Sequence, residues 1–123
     1  MPDPIILPPH LRGDSFGPIT IGPVSDETPL PYPLDEAEIT VTFRLASVTG
    51  EVAQVLRSTE GEIEIDDGRI VIKRFRPVKS GKLCWDVQLE WPEEGETITV
   101  YQTAAKEDRW DVRLDITRPE GAS

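Results

Sequence analysis

The stretch that decides the fold is Arg109-Trp110-Asp111-Val112-Arg113-Leu114-Asp115-Ile116-Thr117-Arg118. Its apolar side chains occupy every second position from 110 to 116, and charged or hydroxyl side chains occupy the positions between them. Only an extended strand with one buried face satisfies a period of two over four cycles. The stretch therefore predicts an antiparallel β-protein in which each sheet keeps one face in water.

The same alternation recurs upstream at intervals of about ten residues, and no segment shows a helical period. Besides the closing strand, we expect strands within 14–22, 38–45, 52–56, 62–65, 69–73, 83–91 and 97–103. The Asp67-Gly68 pair predicts a hairpin, because glycine adopts positive φ without steric cost. In 97–103 the sequence leaves two alternatives for the side chains that face the core, Ile98 with Val100 or Thr99 with Tyr101. Seven or eight short strands predict an all-β, immunoglobulin-like antiparallel β-sandwich.

Prolines divide the chain into an arm and a domain. Nine of the twelve prolines lie at or before Pro33. Proline lacks a backbone donor and fixes φ, so this part can form neither a helix nor a central strand. We expect residues 1–12 to form an extended N-terminal arm, residues 13–118 the sandwich, and residues 119–123 a short C-terminal tail. The apolar residues that would anchor the arm are Ile5, Ile6 and Leu7.

Composition restricts the partners. The 123 residues carry 23 acidic and 13 basic side chains, a net charge of −10. Such a chain repels phosphate backbones, so we expect no nucleic-acid partner. No apolar run approaches the roughly 18 to 20 residues that span a bilayer, and no basic segment precedes an apolar one as in a secretory signal. We therefore expect no membrane partner and synthesis in the cytosol.

One run of positive charge departs from this acidic background. Five basic side chains fall within ten residues: Lys73, Arg74, Arg76, Lys79 and Lys82. Such runs are more often solvated loops whose lysines keep a sheet edge from aggregating. The alternative is a basic surface that docks an acidic partner, including another copy of this chain. The candidate partner-binding residues are therefore Lys73, Arg74, Arg76 and Lys79 of this run and Ile5, Ile6 and Leu7 of the arm.

The residue types that carry catalysis or bind metals lack the necessary context. His10 stands among arm prolines with no partner for general-base chemistry, and the pair Asp66-Asp67 lacks the ligand spacing of a calcium loop. No nucleophile with an adjacent base and no glycine-rich phosphate loop is visible. The lone Cys84 excludes an intramolecular disulfide, and its phase points it away from the core, toward solvent or a neighbouring chain. We expect no enzymatic activity, no metal and no cofactor.

The tryptophans admit two interpretations. Trp85, Trp91 and Trp110 share the inward phase of their strands, which favours a place in the core over a carbohydrate-stacking platform. Trp91, at the end of its strand, is the one that we expect to be partly exposed. A carbohydrate- or small-ligand-binding sandwich that uses Trp91, Tyr101 and acidic side chains therefore remains an alternative function. A further alternative is an immunity or anti-host protein whose negative surface blocks a basic enzyme.

Four fragments carry a resemblance to a known family. They are Gly13-Asp14-Ser15-Phe16, the hairpin Ile63 to Ile72, Trp85-Asp86-Val87-Gln88-Leu89, and the ending Asp115-Ile116-Thr117-Arg118. In this order and at about this spacing they resemble small β-sandwich proteins of tailed phages and prophages, above all the immunoglobulin-like N-terminal domains of upper baseplate and tail-fibre-attachment proteins. The resemblance covers residues 13–118. It departs from the family at 104–108, where Ala-Ala-Lys-Glu-Asp replaces the usual glycine-containing turn.

The resemblance implies a structural role. Proteins of this type have no catalytic residues and act through repeated contacts. The chain is thus expected to be a virion protein of the tail, baseplate, neck or fibre attachment, assembled in the host cytoplasm. Its expected partners are other virion proteins and copies of itself in a homo-oligomer.

Overall fold

The computed structural model describes residues 5–24, 29–47, 49–103 and 108–113. The elements that lie wholly within these ranges are strands and two short 3-10 turns, at Leu34–Glu36 and Ser58–Glu60. The strands are β1 (His10–Leu11), β2 (Ile19–Ile21), β3 (Glu38–Leu45), β4 (Val52–Arg57), β5 (Ile63–Asp66), β6 (Arg69–Ile72), β7 (Gly81–Trp91), β8 (Glu96–Gln102) and β9 (Trp110–Arg113). This is the all-β class that the alternation predicts.

The larger sheet is built around β7, the longest strand. Leu83 of β7 pairs with Leu45 of β3 on one side and with Trp110 of β9 on the other. Strand β8 lies on the same side as β9, against the second half of β7. Thr103 spans the interval between them, because its amide and its hydroxyl both donate to the carbonyl oxygen of Trp85, at 3.0 and 3.2 Å. Strands β8 and β9 therefore act as two halves of one interrupted strand.

The second sheet has the order β2-β6-β5 and shares one core with the first. Alternate residues of β6 and of β2 are buried, as are those of β3 and β7. The core residues that are at most 1% exposed include Ile39, Val41, Phe43, Ile70, Ile72, Val87, Leu89, Trp110 and Val112. Two sheets joined by such a core form the sandwich that the strand spacing predicts.

The strand order is that of an immunoglobulin-type sandwich. The larger sheet reads β1-β9-β7-β3-β4, so that β4-β3-β7 followed by β8/β9 corresponds to C′-C-F-G, and β2-β6-β5 corresponds to B-E-D. One pair departs from the antiparallel prediction, because β1 runs parallel to β9. Strand β1 leads into β2 of the other sheet, so no hairpin forces it to run antiparallel to β9.

Local details follow from individual residues. Asp67 and Gly68 both have positive φ, 50° and 76°, and form the predicted two-residue hairpin between β5 and β6. In β8, Val100 and Tyr101 are both buried, because the register against β7 shifts between Val87 and Gln88. The alternative with Ile98 and Val100 inward is correct, because Ile98 packs against the core and Thr99 is exposed, and Tyr101 is buried in addition. An irregularity in the pairing puts consecutive residues inward.

The closing strand is confirmed where the structure describes it. Trp110 and Val112 are buried, while Asp111 and Arg113 lie on the other face. Residues 114–118 of the predicted strand and the tail at 119–123 lie outside the described residues.

Candidate protein-protein interaction surfaces

The described part of the N-terminal arm, residues 5–12, lies along the β8/β9 edge of its own domain. The amide of Ile5 donates to the hydroxyl oxygen of Tyr101 at 3.1 Å, and that hydroxyl donates to the carbonyl oxygen of Ile5 at 3.3 Å. Farther along, the indole nitrogen of Trp110 donates to the carbonyl oxygen of Pro8 at 2.9 Å. Strand β1 then pairs with β9, and the amide of Arg12 donates to the carbonyl oxygen of Arg113 at 2.8 Å.

The three apolar arm residues singled out from the sequence have different surroundings. Ile5 and Leu7 pack against the edge of the core, whereas Ile6 points away and is 62% exposed. Two of the three therefore anchor the arm to its own chain, and Ile6 is available to a neighbour.

His10 has a structural role that its sequence context concealed. Its Nε2 lies 2.9 Å from the carbonyl oxygen of Asp14, and its ring packs edge-on against Phe16 with ring centres 4.8 Å apart. The imidazole thus closes the turn at residues 11–14. The prolines before His10 gave no sign of this contact, because it depends on the turn at Gly13.

The basic run contains two kinds of residue. Three lysines pair within the domain: Lys73 Nζ lies 3.8 Å from Glu64, Lys79 Nζ lies 3.3 Å from Glu51, and Lys82 Nζ lies 3.2 Å from Asp111. The lysines in these pairs are largely exposed, so each contact contributes little to stability. Neither of the exposed side chains Arg74 and Arg76 forms an ion pair with a carboxylate in the described part of the chain.

Phe75 explains why the two arginines point outward. Its ring lies between them in sequence and packs inward, 5.5 Å from the ring of Phe43 and 5.9 Å from that of Trp110, measured between centres. A backbone bridge to Phe16 holds it there. Because side chains alternate along an extended segment, an inward Phe75 places Arg74 and Arg76 on the solvent side.

A glutamine side chain fixes the rest of this loop. The amide nitrogen of Gln54 on β4 donates to the carbonyl oxygen of Arg76 at 3.1 Å, and its amide oxygen accepts from the backbone of Val78 at 3.3 Å. Val78 is 59% exposed, and Val52, two residues before Gln54, is 41% exposed. We call residues 73–79 the basic loop; it presents two arginines and an exposed valine on an ordered backbone.

Negative charge collects at the other end of β7. A cleft of about 490 Å³ is lined by Glu36, Glu38, Trp91, Pro92, Glu93 and Glu94. The charge of Glu94 is the main reason why the pKa of the nearby Tyr32 is raised above its ordinary value. The basic loop enters β7 at Gly81 and the cleft borders its end at Trp91, so the two surfaces are roughly 30 Å apart at about 3.3 Å per residue.

All three tryptophans form part of the core, as predicted, and the expectation that Trp91 is partly exposed is wrong. It is 3% exposed, and its indole nitrogen donates to the carbonyl oxygen of Pro33 at 3.0 Å. Tyr101, the other aromatic of the carbohydrate alternative, is 2% exposed beneath the arm. The carbohydrate platform of the alternative function, which would use these two side chains, is therefore not present on the surface.

Cys84 contradicts the expectation that it faces solvent or a neighbour. It is 5% exposed, and its thiol lies 3.7 Å from the carbonyl oxygen of Ala46. The guanidinium of Arg109 donates to the same oxygen at 2.8 Å, so the turn after β3 covers the outer face at this point. Burial raises the pKa of the Cys84 thiol.

Two carboxylates on the outer face of the larger sheet have opposite environments. A hydrogen bond from Arg113 and contacts with Lys82 hold the pKa of Asp111 below its ordinary value. Desolvation raises the pKa of Asp86, although the nearby charge of Arg44 partly offsets that effect.

Comparison with models of protein families, with curated proteins and with solved structures finds no match to this chain. In the described ranges, no group of three or more histidine, cysteine, aspartate and glutamate side chains is placed to hold a metal ion. No helix in the same ranges is long and apolar enough to cross a membrane.

Proposed function

We propose that this chain is a structural protein of a phage virion, in the tail, baseplate, neck or fibre attachment, and that it acts through protein-protein contacts. The four fragments that resemble the phage family suggest that the chain belongs to a virion. Its basic loop suggests that it acts by docking to acidic surfaces. The partners are other virion proteins and further copies of the chain.

The observation that carries the proposal is the basic loop on an acidic body. The loop contains four basic and no acidic side chains, so the other 116 residues hold all 23 acidic side chains against nine basic ones, a formal charge of −14. A chain divided in this way attracts the loop of one copy to the body of the next. Opposite charges of this kind steer association and set its orientation more than they add affinity.

The form of the loop supports contact rather than solvation alone. Gln54 holds its backbone, so docking orders little additional chain. Arg74 and Arg76 are exposed on either side of an anchored Phe75, and the exposed Val78 adds apolar area beside them. Arginine is enriched in interfaces because its planar guanidinium binds carboxylates through two hydrogen bonds.

Sedimentation velocity of the full chain at low and high salt tests this function. We expect self-association at about 100 mM ionic strength that weakens as salt screens the charges. Arg74→Ala with Arg76→Ala should raise the dissociation constant about tenfold, since each exposed charge contact contributes up to about 1 kcal/mol.

The matched control is Arg57→Ala with Arg69→Ala, which makes the same change in net charge at two arginines that are not part of the basic loop. We expect this variant to associate much as the unaltered chain does. A chain that stays monomeric at low salt would contradict the proposal, and so would equal effects of the two double variants.

A further inference from the structure

We infer that the edge formed by Tyr101 and Trp110 is a docking site for an extended, proline-containing segment, and that residues 5–11 of a second copy occupy it in the assembled protein. The inference rests on the proposed function for its homo-oligomer, and it names a contact that is separate from the basic loop.

The edge recognises main-chain atoms of the arm. Tyr101 binds the amide and the carbonyl oxygen of Ile5, and Trp110 binds the carbonyl oxygen of Pro8. These two carbonyls are three residues apart, which is one turn of a polyproline II helix, so they face the same side of such a segment. Aromatic side chains with polar tips are the usual receptors for this conformation, because they combine apolar contact with a directed hydrogen bond.

Because the site binds main-chain atoms of the arm, it can bind the arm of its own chain or the arm of another copy through the same contacts. A second chain has the same arm and the same parallel partner in β9, so a reciprocal exchange retains all of these contacts in a closed pair. Pro8 and Pro9 restrict the free arm and thereby lower the entropy that it loses on docking.

The link between arm and domain is a short turn, and the amide of Gly13 within it donates to the carbonyl oxygen of Pro77 at 2.9 Å. The turn at residues 11–14 is closed by the amide of Asp14, which donates to the carbonyl oxygen of Leu11 at 3.2 Å, and by His10 on the carbonyl oxygen of Asp14. Gly13 has φ +88°, and a Cβ placed there would meet nothing within 4 Å. Opening this turn is what distinguishes an exchanged arm from the arm docked on its own domain.

A disulfide trap in the full chain tests the exchange. Leu11 and Arg113 are register partners, so Leu11→Cys in one chain and Arg113→Cys in another are held side by side only when an arm lies on a different copy. Both chains carry Cys84→Ala, so that the introduced thiols alone react. The two are mixed, oxidised with a glutathione buffer and examined by non-reducing electrophoresis and peptide mass mapping.

We expect the mixture to give a dimer cross-linked between positions 11 and 113, at least fivefold above the dimers that either chain forms alone. Gly13→Ala in both chains should raise the yield about fivefold, because a Cβ is disfavoured at φ +88° and the turn that keeps an arm on its own domain is weakened. Leu11→Cys and Arg113→Cys in a single chain provide the control for the register.

Closure of that control within one chain, with no cross-link in the mixture, would overturn the exchange. Failure of the control to close at all would overturn the register on which the exchange depends. The outcome can be distinguished from that of the basic-loop test, because the trap leaves Arg74 and Arg76 intact. A chain that exchanges arms but shows no salt-dependent association would refute only the role of the basic loop.

Discussion

Replacing Trp110 with phenylalanine should destabilise the domain more than the same replacement at Trp85. Both indoles are buried, 1% and 2% exposed. The nitrogen of Trp110 donates to the carbonyl oxygen of Pro8, whereas the nitrogen of Trp85 has no hydrogen-bond partner among the described residues. The two substitutions delete the same atoms, so their cavity costs are similar and the hydrogen bonds decide the difference.

The expected difference in the free energy of unfolding is about 2 kcal/mol. Losing the bond to Pro8 costs about 1 kcal/mol net, and removing an unpaired buried N–H at Trp85 recovers about 1 kcal/mol or more of desolvation. Both variants also lose core volume, so each should be less stable than the unaltered chain unless the recovered desolvation at Trp85 offsets its cavity.

Urea unfolding followed by far-ultraviolet circular dichroism measures this difference without relying on the altered fluorescence. Trypsin adds a local measurement, because it cleaves after Arg12, at the base of the arm. Trp110→Phe should speed that cleavage and Trp85→Phe should not. If Trp85→Phe is the more destabilising of the two, and the arm of Trp110→Phe remains protected, the reasoning on the indole nitrogens is refuted.

Four further substitutions test other parts of the structure. Gln54→Ala should lower the free energy of unfolding by about 1–2 kcal/mol and speed amide exchange within 76–78, because the loop loses both of its hydrogen bonds; unchanged exchange would contradict the role of Gln54. Asp111→Asn should destabilise the domain near neutral pH, and this effect should disappear as pH falls through the lowered pKa of Asp111. Asp86→Asn should stabilise the domain at pH values above 3.8, the ordinary pKa of an aspartate, and should have no such effect below that pH. Unfolding at a series of pH values measures both, and slopes of the same sign would refute them. Ala46→Gly should raise the unfolding free energy by about 0.5–1 kcal/mol, because Ala46 has φ 68°, where a Cβ is disfavoured; thermal unfolding that shows a loss would contradict this.

The sequence predicted the strands well because their pattern is local. The period of two in 38–45 and 83–91 depends only on which side chains face the core, and the structure has β3 and β7 there. Asp67-Gly68 is equally local, since its positive φ values are set by the residues themselves.

The errors arose where distant segments cover a strand. Alternation puts Cys84 on the outer face, but the turn at Ala46 and the side chain of Arg109 bury it there. Trp91 ends its strand, yet the backbone of Pro33 meets its indole across 58 residues of sequence. Tyr101 is buried because the pairing of β8 with β7 is irregular, and a period of two in the sequence does not predict such an irregularity.

The candidate interaction residues were only partly accessible to sequence reasoning. The charge run is visible in the composition, but the division into paired lysines and exposed arginines depends on carboxylates from other strands, such as Glu51 and Glu64. The arm was visible from its prolines. Its attachment depends on Tyr101 and Trp110, each about a hundred residues away, and no local pattern could indicate it.

The most direct test of a structural role in a particle is to count this chain in purified particles. Particles are induced from the strain that carries the gene, banded by density, and measured by quantitative mass spectrometry against a major tail protein. We predict a fixed ratio to that tail protein across preparations and antibody labelling at one position on the particle. A chain that is abundant in the lysate but absent from the banded particles would contradict the proposed function.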